Sequence, residues 1–255
     1  MTTNQTLLTE LESGQVNALL FDLDGVLTPT SDLHRVAWRQ LFEPFLEKSG
    51  AQPYSEEDYY LYLDGKQRMD GVASVLHSRG IDLPWGGPDQ QLAPEQASVW
   101  SLAEQKNDEF NSILADSGVQ PYPGSLALLE YVGRFDGVRA AVVSSSKNAS
   151  EILKMSGLDR FFDAVVDGAY AVDEGLPGKP NPDTFLRAAE LLGSCPERAV
   201  VFEDAVSGVQ AGSAGRFREV IGIDRGAGVD VLSEAGATVV VSDLGELLPG
   251  DNGDA

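Results

Sequence analysis

The sequence predicts an α/β fold: a doubly wound parallel sheet with an all-helical domain inserted after its first strand. Three observations carry that prediction. Short apolar runs recur along the chain, as expected for strands covered on both faces. Stretches of helical spacing separate the later runs, which is the alternation of βαβ units. Between residues 31 and 117 that alternation stops and only helical spacing remains.

Taken in order, residues 1–14 are polar and read as a flexible terminus. VNALLFDL (16–23) is the first strand, and TPTS (28–31) leaves it as a linker. SDLHRVAWRQLFEPFLEK, SEEDYYLYLDG, QRMDGVASVLHSRG and PEQASVWSLAEQKNDEFNSILADSG then follow with helical spacing. The chain returns through SGVQPYPG (117–124), rich in Gly and Pro. A helical domain over 31–117 thus interrupts a core made of 15–30 and 118–248, with the paired linkers as its hinge. Within the core, SLALLEYVGRF is a helix, VRAAVVSS (138–145) a strand and ASEILKMSGL a helix. DAVVDG (163–168) is a short strand, followed by a long acidic loop over 167–179. PDTFLRAAELLG, AVVFED (199–204), AVSGVQAGSAG, EVIGID (219–224) and ATVVVSD (237–243) complete the alternation, and 249–255 reads as a second flexible tail.

Composition excludes several function classes. A chain of 255 residues, 42% hydrophobic and 23% charged, can bury a large core and is not disordered. Forty acids against 18 bases, a net charge of −22, argue against nucleic acid and anionic membranes as partners. No apolar run reaches membrane-span length, and MTTNQTLLTE lacks the features of a signal peptide. The lone Cys195 excludes an intramolecular disulfide. The expectation is a cytoplasmic monomer that acts on a small molecule.

The polar clusters fall at the carboxyl ends of predicted strands, where α/β sheets keep their sites. Asp22 and Asp24 alternate with Phe21 and Leu23, so both point to one side of an extended segment. Ser144, Ser146, Lys147 and Asn148 follow the second strand, Glu203 and Asp204 end AVVFED, and Lys179 stands in GLPGKPNPD. These residue types suit phosphoryl transfer through a carboxylate. Asp22 can attack phosphorus and form an aspartyl phosphate. Asp24 can give a proton to the leaving oxygen and take one from the incoming hydroxyl. Lys179 supplies a point charge to the phosphoryl group, and the serines at a helix start offer hydroxyls and backbone N–H groups. Capping of that helix is the plainer reading of the serines, and phosphate binding is preferred to it because a strand feeds them. Glu203 and Asp204 add negative charge beside Asp22, so an oxygen-liganded divalent cation, Mg²⁺, is expected to hold the group together. Only six lysines occur in the chain, and Lys106, Lys147 and Lys179 all fall in these motifs.

DLDGV, a serine after the next strand, the lysine of KPNPD and an ED pair, in this order, resemble the haloacid dehalogenase superfamily over residues 16–245. TPTSDLHRVAW, LDGKQR, QKNDEF, PYPG, SSSKN and GKPNPDTF resemble its β-phosphoglucomutase subfamily. The resemblance implies a Rossmann-like core with a helical cap. It further implies an isomerase that interconverts β-glucose 1-phosphate and glucose 6-phosphate through glucose 1,6-bisphosphate. Asp22 would be the nucleophile and Asp24 the acid/base, with Ser144 and Lys179 holding the transferring phosphoryl. Mg²⁺ would bind to Asp22, the Asp24 carbonyl and the Glu203/Asp204 pair. Arg68, Ser146, Lys147 and Asn148 would hold the other phosphate, and His34 and Lys106 would face the sugar and the acid/base. The chain departs from the pattern at Pro29, at Gln105 and in the acidic loop before Lys179. Two other activities fit part of the pattern: a sugar-phosphate phosphatase of the same fold, and a receiver-like module that carries a phospho-aspartate without catalysis.

Overall fold

The computed structural model describes residues 3–88 and 97–249. It divides into two compact units, one of residues up to Pro29 and from Val119 onward, the other Thr30–Gly118.

The first unit is built on six parallel strands: β1 (Ala18–Phe21), β2 (Arg139–Val143), β3 (Ala164–Val166), β4 (Ala199–Glu203), β5 (Glu219–Ile223) and β6 (Val239–Val241). Their order across the sheet is β3-β2-β1-β4-β5-β6, so β1 lies between β2 and β4 and the chain reverses direction of travel there. All six expected strands are present, each shorter than the apolar run that predicted it. Residues of β1 and β4 are buried throughout, because helices cover both faces of the sheet. Phe21 of β1 stacks on Phe202 of β4 with ring centroids 4.3 Å apart. One side of the sheet packs Leu20, Val201 and Val143 against Phe185, Ala188 and Val209.

The helices of this unit are α1 (Thr3–Glu12), α6 (Pro123–Val132), α7 (Ala149–Ser156), α8 (Gly168–Asp173), α9 (Asp183–Leu191), α10 (Val206–Ala214) and α11 (Val229–Ala235). Their ends follow from local sequence. Pro123 opens α6, where its missing N–H costs no bond, and Gly157 ends α7 with φ of 69°.

Two expectations change. Residues 3–12, read as part of a flexible terminus, form α1. Leu7, Leu8 and Leu11 bury one face of it, and Glu10 binds Arg218 at 2.6 Å. Of the tail 249–255, all but Pro249 lies outside the described residues. The expected loop 167–179 contains α8, whose first N–H groups at Ala169 and Tyr170 donate to the Asp167 carboxylate at 3.0 and 2.9 Å. That cap makes a short helix out of an acidic insert.

The second unit is helical, as its periodicity predicted: α2 (Thr30–Ser49), α3 (Glu56–Asp58) running into a π-turn over Tyr59–Leu63, α4 (Arg68–Ser78) and α5 (Val99–Ser117). The expected start of α5 near Pro94 falls in residues 89–96, outside the described residues. Ser98 and Ser101 cap its described beginning reciprocally. Trp38, Leu41, Phe42, Leu63, Val72, Val75 and Leu102 form a core belonging to this unit alone. A buried ion pair, Arg79 to Asp58 at 2.5 Å, ties α4 to α3. Among the described residues no helix is long and apolar enough to cross a membrane.

Candidate active site

The register of the sheet assembles the site. Phe21 pairs with Val142 on one side and with Phe202 on the other, so the next residues, Asp22, Val143 and Glu203, form one row across three strands. Lys179 reaches that row from the segment before α9. Its Nζ lies 2.5 Å from Asp22 Oδ1, 2.5 Å from Glu203 Oε1 and 3.1 Å from the Val143 carbonyl. All three charged side chains are buried, and the ammonium also lies 5.0 Å from the centre of the Phe185 ring. Three acceptors saturate the three N–H bonds of one ammonium.

Charge balance explains the protonation of this cluster. Burial alone lowers the pKa of Lys179, but Asp22 and Glu203 reverse that and hold it above its ordinary value. Burial pushes Asp22 well above the usual carboxylate range; Lys179 opposes the shift, and Glu203 and Asp24 add to it. The directions agree because the acids outnumber the lysine. The cluster carries more negative charge than one ammonium can balance.

Glu203 and Asp204 are adjacent in sequence and part company in space. Glu203 gives one oxygen to Lys179, and the other accepts the Ala205 N–H at 3.0 Å. Its carboxylate fills the space beside Gly208, where a Cβ would fall 1.7 Å from Oε1. Asp204 lies instead against the loop after β1: a Cβ on Gly25 would meet its Oδ2 at 1.8 Å. Gly25 also has φ of +91°, a second reason for glycine there. The expected metal role of Glu203 is therefore narrowed. Both its oxygens bond within the protein, whereas Asp22, Asp204 and the Asp24 carbonyl are the oxygen groups beside the loop after β1. Among the described residues no three His, Cys, Asp or Glu side chains converge in metal-binding geometry. Two carboxylates and a carbonyl suit Mg²⁺, which keeps several waters and takes one or two carboxylates from the protein.

Asp24 is partly exposed, and its Oδ2 accepts a hydrogen bond from Ser144 Oγ at 3.3 Å. The Ser144 hydroxyl in turn accepts the Ser146 N–H at 3.1 Å, and Ser146 Oγ accepts the Asn148 N–H at 3.2 Å. The serines shape a tight loop into α7 and do not cap it directly; Asn148 is the N-cap residue. Lys147 is exposed on that loop. Helix α8 begins against it, since Gly168 N–H donates to the Ser146 carbonyl at 3.2 Å. Asp22, Asp24, Ser144, Ser146, Lys147, Asn148, Glu203 and Asp204 thus end or follow strands of the first unit, and Lys179 joins them from the segment before α9.

His34, Arg68 and Lys106 belong to the helical unit. Lys106 is buried between the rings of Trp38 and Phe110, 4.9 and 4.8 Å from their centres, and its ammonium contacts His34 Nδ1. His34 stacks on Phe110 at 4.0 Å. Trp38, a core residue of this unit, also forms one wall of this lysine cage. Arg68 at the start of α4 pairs with Glu104 at 2.8 Å; burial lowers its pKa, against the pull of Glu104 and Asp108.

Sequence reasoning missed Arg225. It follows β5 directly in EVIGIDRG, so the rule that polar groups gather at carboxyl strand ends could have singled it out. Its Nε donates to the Gly25 carbonyl at 2.8 Å.

A model of the haloacid dehalogenase-like hydrolase family matches residues 16–216. A β-phosphoglucomutase of Mycobacterium bovis is 49% identical over 244 residues, 92% of each chain. A fructose-1-phosphate phosphatase of Escherichia coli is 32% identical over 199 residues, 77% of this chain and 90% of that one. The crystal structure of β-phosphoglucomutase from Clostridium difficile superposes with a TM-score of 0.72 and 26% identity, over 91% of this chain and 93% of that one.

Proposed function

The chain belongs to the haloacid dehalogenase-like hydrolase family, and we propose that it is a phosphomutase interconverting β-D-glucose 1-phosphate and glucose 6-phosphate. The observation that carries this reading is the 49% identity to a β-phosphoglucomutase across 92% of both chains. Asp22 is the nucleophile: its carboxylate oxygen bonds to phosphorus while the bond from phosphorus to the sugar oxygen breaks. Asp24 gives its proton to that departing oxygen, and in the return direction takes the proton of the attacking hydroxyl. β-Glucose 1-phosphate takes the phosphoryl of Asp22 on its 6-hydroxyl, and the glucose 1,6-bisphosphate so formed returns its 1-phosphoryl to Asp22 and leaves as glucose 6-phosphate. Lys179 and Ser144 serve the transferring phosphoryl. Ser146, Lys147 and Asn148 serve the second phosphate.

The donor set fits Mg²⁺: oxygen only, with excess negative charge beside a single ammonium. Asp22, Asp204 and the Asp24 carbonyl would hold it, and bound there it would screen the phosphoryl charge from the acids. The expected result of adding millimolar Mg²⁺ is a raised melting temperature. At about 100 times Kd the gain is about 2.7 kcal/mol. For a chain of this size that is roughly 5–10 °C. Asp204→Asn should lose most of that shift. An unchanged melting temperature in the wild type would count against the metal assignment.

The activity is tested with β-glucose 1-phosphate, Mg²⁺ and catalytic glucose 1,6-bisphosphate, following glucose 6-phosphate and inorganic phosphate together. Formation of glucose 6-phosphate without stoichiometric phosphate release is the expected result. The similarity to the E. coli phosphatase favours a second reading, a sugar-phosphate phosphatase, in which water replaces the second sugar hydroxyl. Phosphate release with no glucose 6-phosphate would establish that reading and remove the first.

A further inference from the structure

The turn that carries Asp24 is held by hydrogen bonds from outside it. Three consecutive carbonyls each accept from a residue far along the chain. Gly25 accepts from Arg225 Nε at 2.8 Å, Val26 from Ser125 Oγ at 2.7 Å, and Leu27 from the Tyr122 N–H at 2.9 Å. Inside the turn the Gly25 N–H donates to the Thr28 carbonyl at 2.7 Å. Gly25 is the torsionally freest residue of this turn, and φ of +91° is a conformation that only its own neighbours enforce. Its carbonyl lies in the peptide plane that joins Gly25 to Val26, one residue beyond Asp24, and the Asp204 carboxylate packs on its α-carbon.

Arg225 is built to fix that plane. Besides the Gly25 carbonyl, its guanidinium donates from Nη1 to the Ser242 carbonyl at 2.9 Å. The guanidinium carbon lies 3.9 Å from the centre of the Tyr122 ring, a stacking distance, and Nη2 is 3.8 Å from Asp243 Oδ2. Nη2 is buried and makes no hydrogen bond. A side chain that buries a donor without a partner accepts a desolvation cost, which its remaining bonds must outweigh. One guanidinium therefore joins the loop after β1, the residue before α6 and the end of β6. Tyr122 closes the circuit, since it both stacks under Arg225 and holds the Leu27 carbonyl.

We propose that Arg225 is a positioning residue for Asp24: by pinning the Gly25 carbonyl against Tyr122 it holds the Asp24 carboxylate where the departing oxygen receives its proton. This rests on the reading of Asp22 as nucleophile and Asp24 as acid. Arginine is required because a planar fork can bond two carbonyls while its face stacks on a ring; lysine offers a point charge and no face.

The test exploits leaving groups. A sugar alkoxide must be protonated as it leaves, whereas p-nitrophenolate leaves without help. Phosphorylation of the enzyme is followed in single turnovers from glucose 1,6-bisphosphate and from p-nitrophenyl phosphate, for wild type, Arg225→Met and Arg225→Lys. General acid catalysis contributes about 10²–10⁴-fold, so Arg225→Met should slow transfer from the bisphosphate at least roughly tenfold and transfer from p-nitrophenyl phosphate less than about twofold. Arg225→Lys should fall between, and carries the comparison alone if the methionine variant does not fold. Equal slowing with both donors, or slowing with neither, would overturn the proposal. A wild-type enzyme phosphorylated by neither donor would overturn the reading of Asp22 itself, a separate failure.

Discussion

Lys179→Met is expected to destabilise the protein by about 3–5 kcal/mol, the usual cost of leaving a buried charge without its partner. The lysine is the cation between Asp22 and Glu203, at 2.5 Å from each, and neither acid is exposed enough for water to replace it. At roughly 2–4 °C per kcal/mol for a chain of this size, the melting temperature should drop by about 6–20 °C. The sign of the pH dependence follows from the acids. Without Lys179 the pKa of Asp22 rises further, and a raised folded-state pKa means that the fold is penalised once the acid ionises. The gap between variant and wild type should therefore narrow as pH falls from neutral toward 5. Glu203→Gln in the Lys179→Met background should recover part of the loss, which a double-mutant cycle by urea unfolding would measure. Equal melting temperatures for Lys179→Met and wild type at neutral pH would show that the ion cluster does not hold the strand ends together.

Asp22→Asn should abolish phosphoryl transfer and leave the fold intact. Removing an enzyme's nucleophile costs on the order of 10⁴-fold or more in kcat, and the amide cannot form an acyl phosphate. The stability prediction has the opposite sign from that of Lys179→Met. Burial raises the Asp22 pKa above the ordinary range, so ionised Asp22 lowers stability as pH climbs from that range through its raised value. A neutral amide of the same shape removes that penalty. Lys179 keeps Glu203 and the Val143 carbonyl as partners. Asp22→Asn should melt at or above the wild-type temperature at neutral pH. Retained turnover would remove Asp22 as nucleophile; a collapsed fold would mean that its ion pair with Lys179 outweighs its burial.

Helix α1 and the Glu203/Asp204 pair mark where sequence patterns stop being informative. TNQTLLTELE has too few apolar residues to announce a buried helix, yet Leu7, Leu8 and Leu11 find a surface to bury against, and Arg218 supplies an ion pair from more than 200 residues away. Burial of a short amphipathic segment depends on what it meets, which local composition does not record. Similarly, ED at the end of β4 reads as two equivalent acids. In the sheet, alternate residues face opposite ways, so Glu203 turns to Lys179 while Asp204 turns to the Gly25 turn. Two glycines far apart in sequence, Gly208 and Gly25, make room for one carboxylate each.

The sequence by itself determined the strands, the helical insertion and the positions of the reactive groups. Apolar runs can only be satisfied as buried strands, and acids, serines and lysine gathered after them have no place but the strand ends. Sheet order and register were decided by tertiary packing alone. They place Asp22, Val143 and Glu203 in one row for Lys179, and they bring Arg225 to Gly25 across 200 residues of chain. Periodicity records which face of an element is buried; which atoms then meet depends on how several such faces close over one another at once.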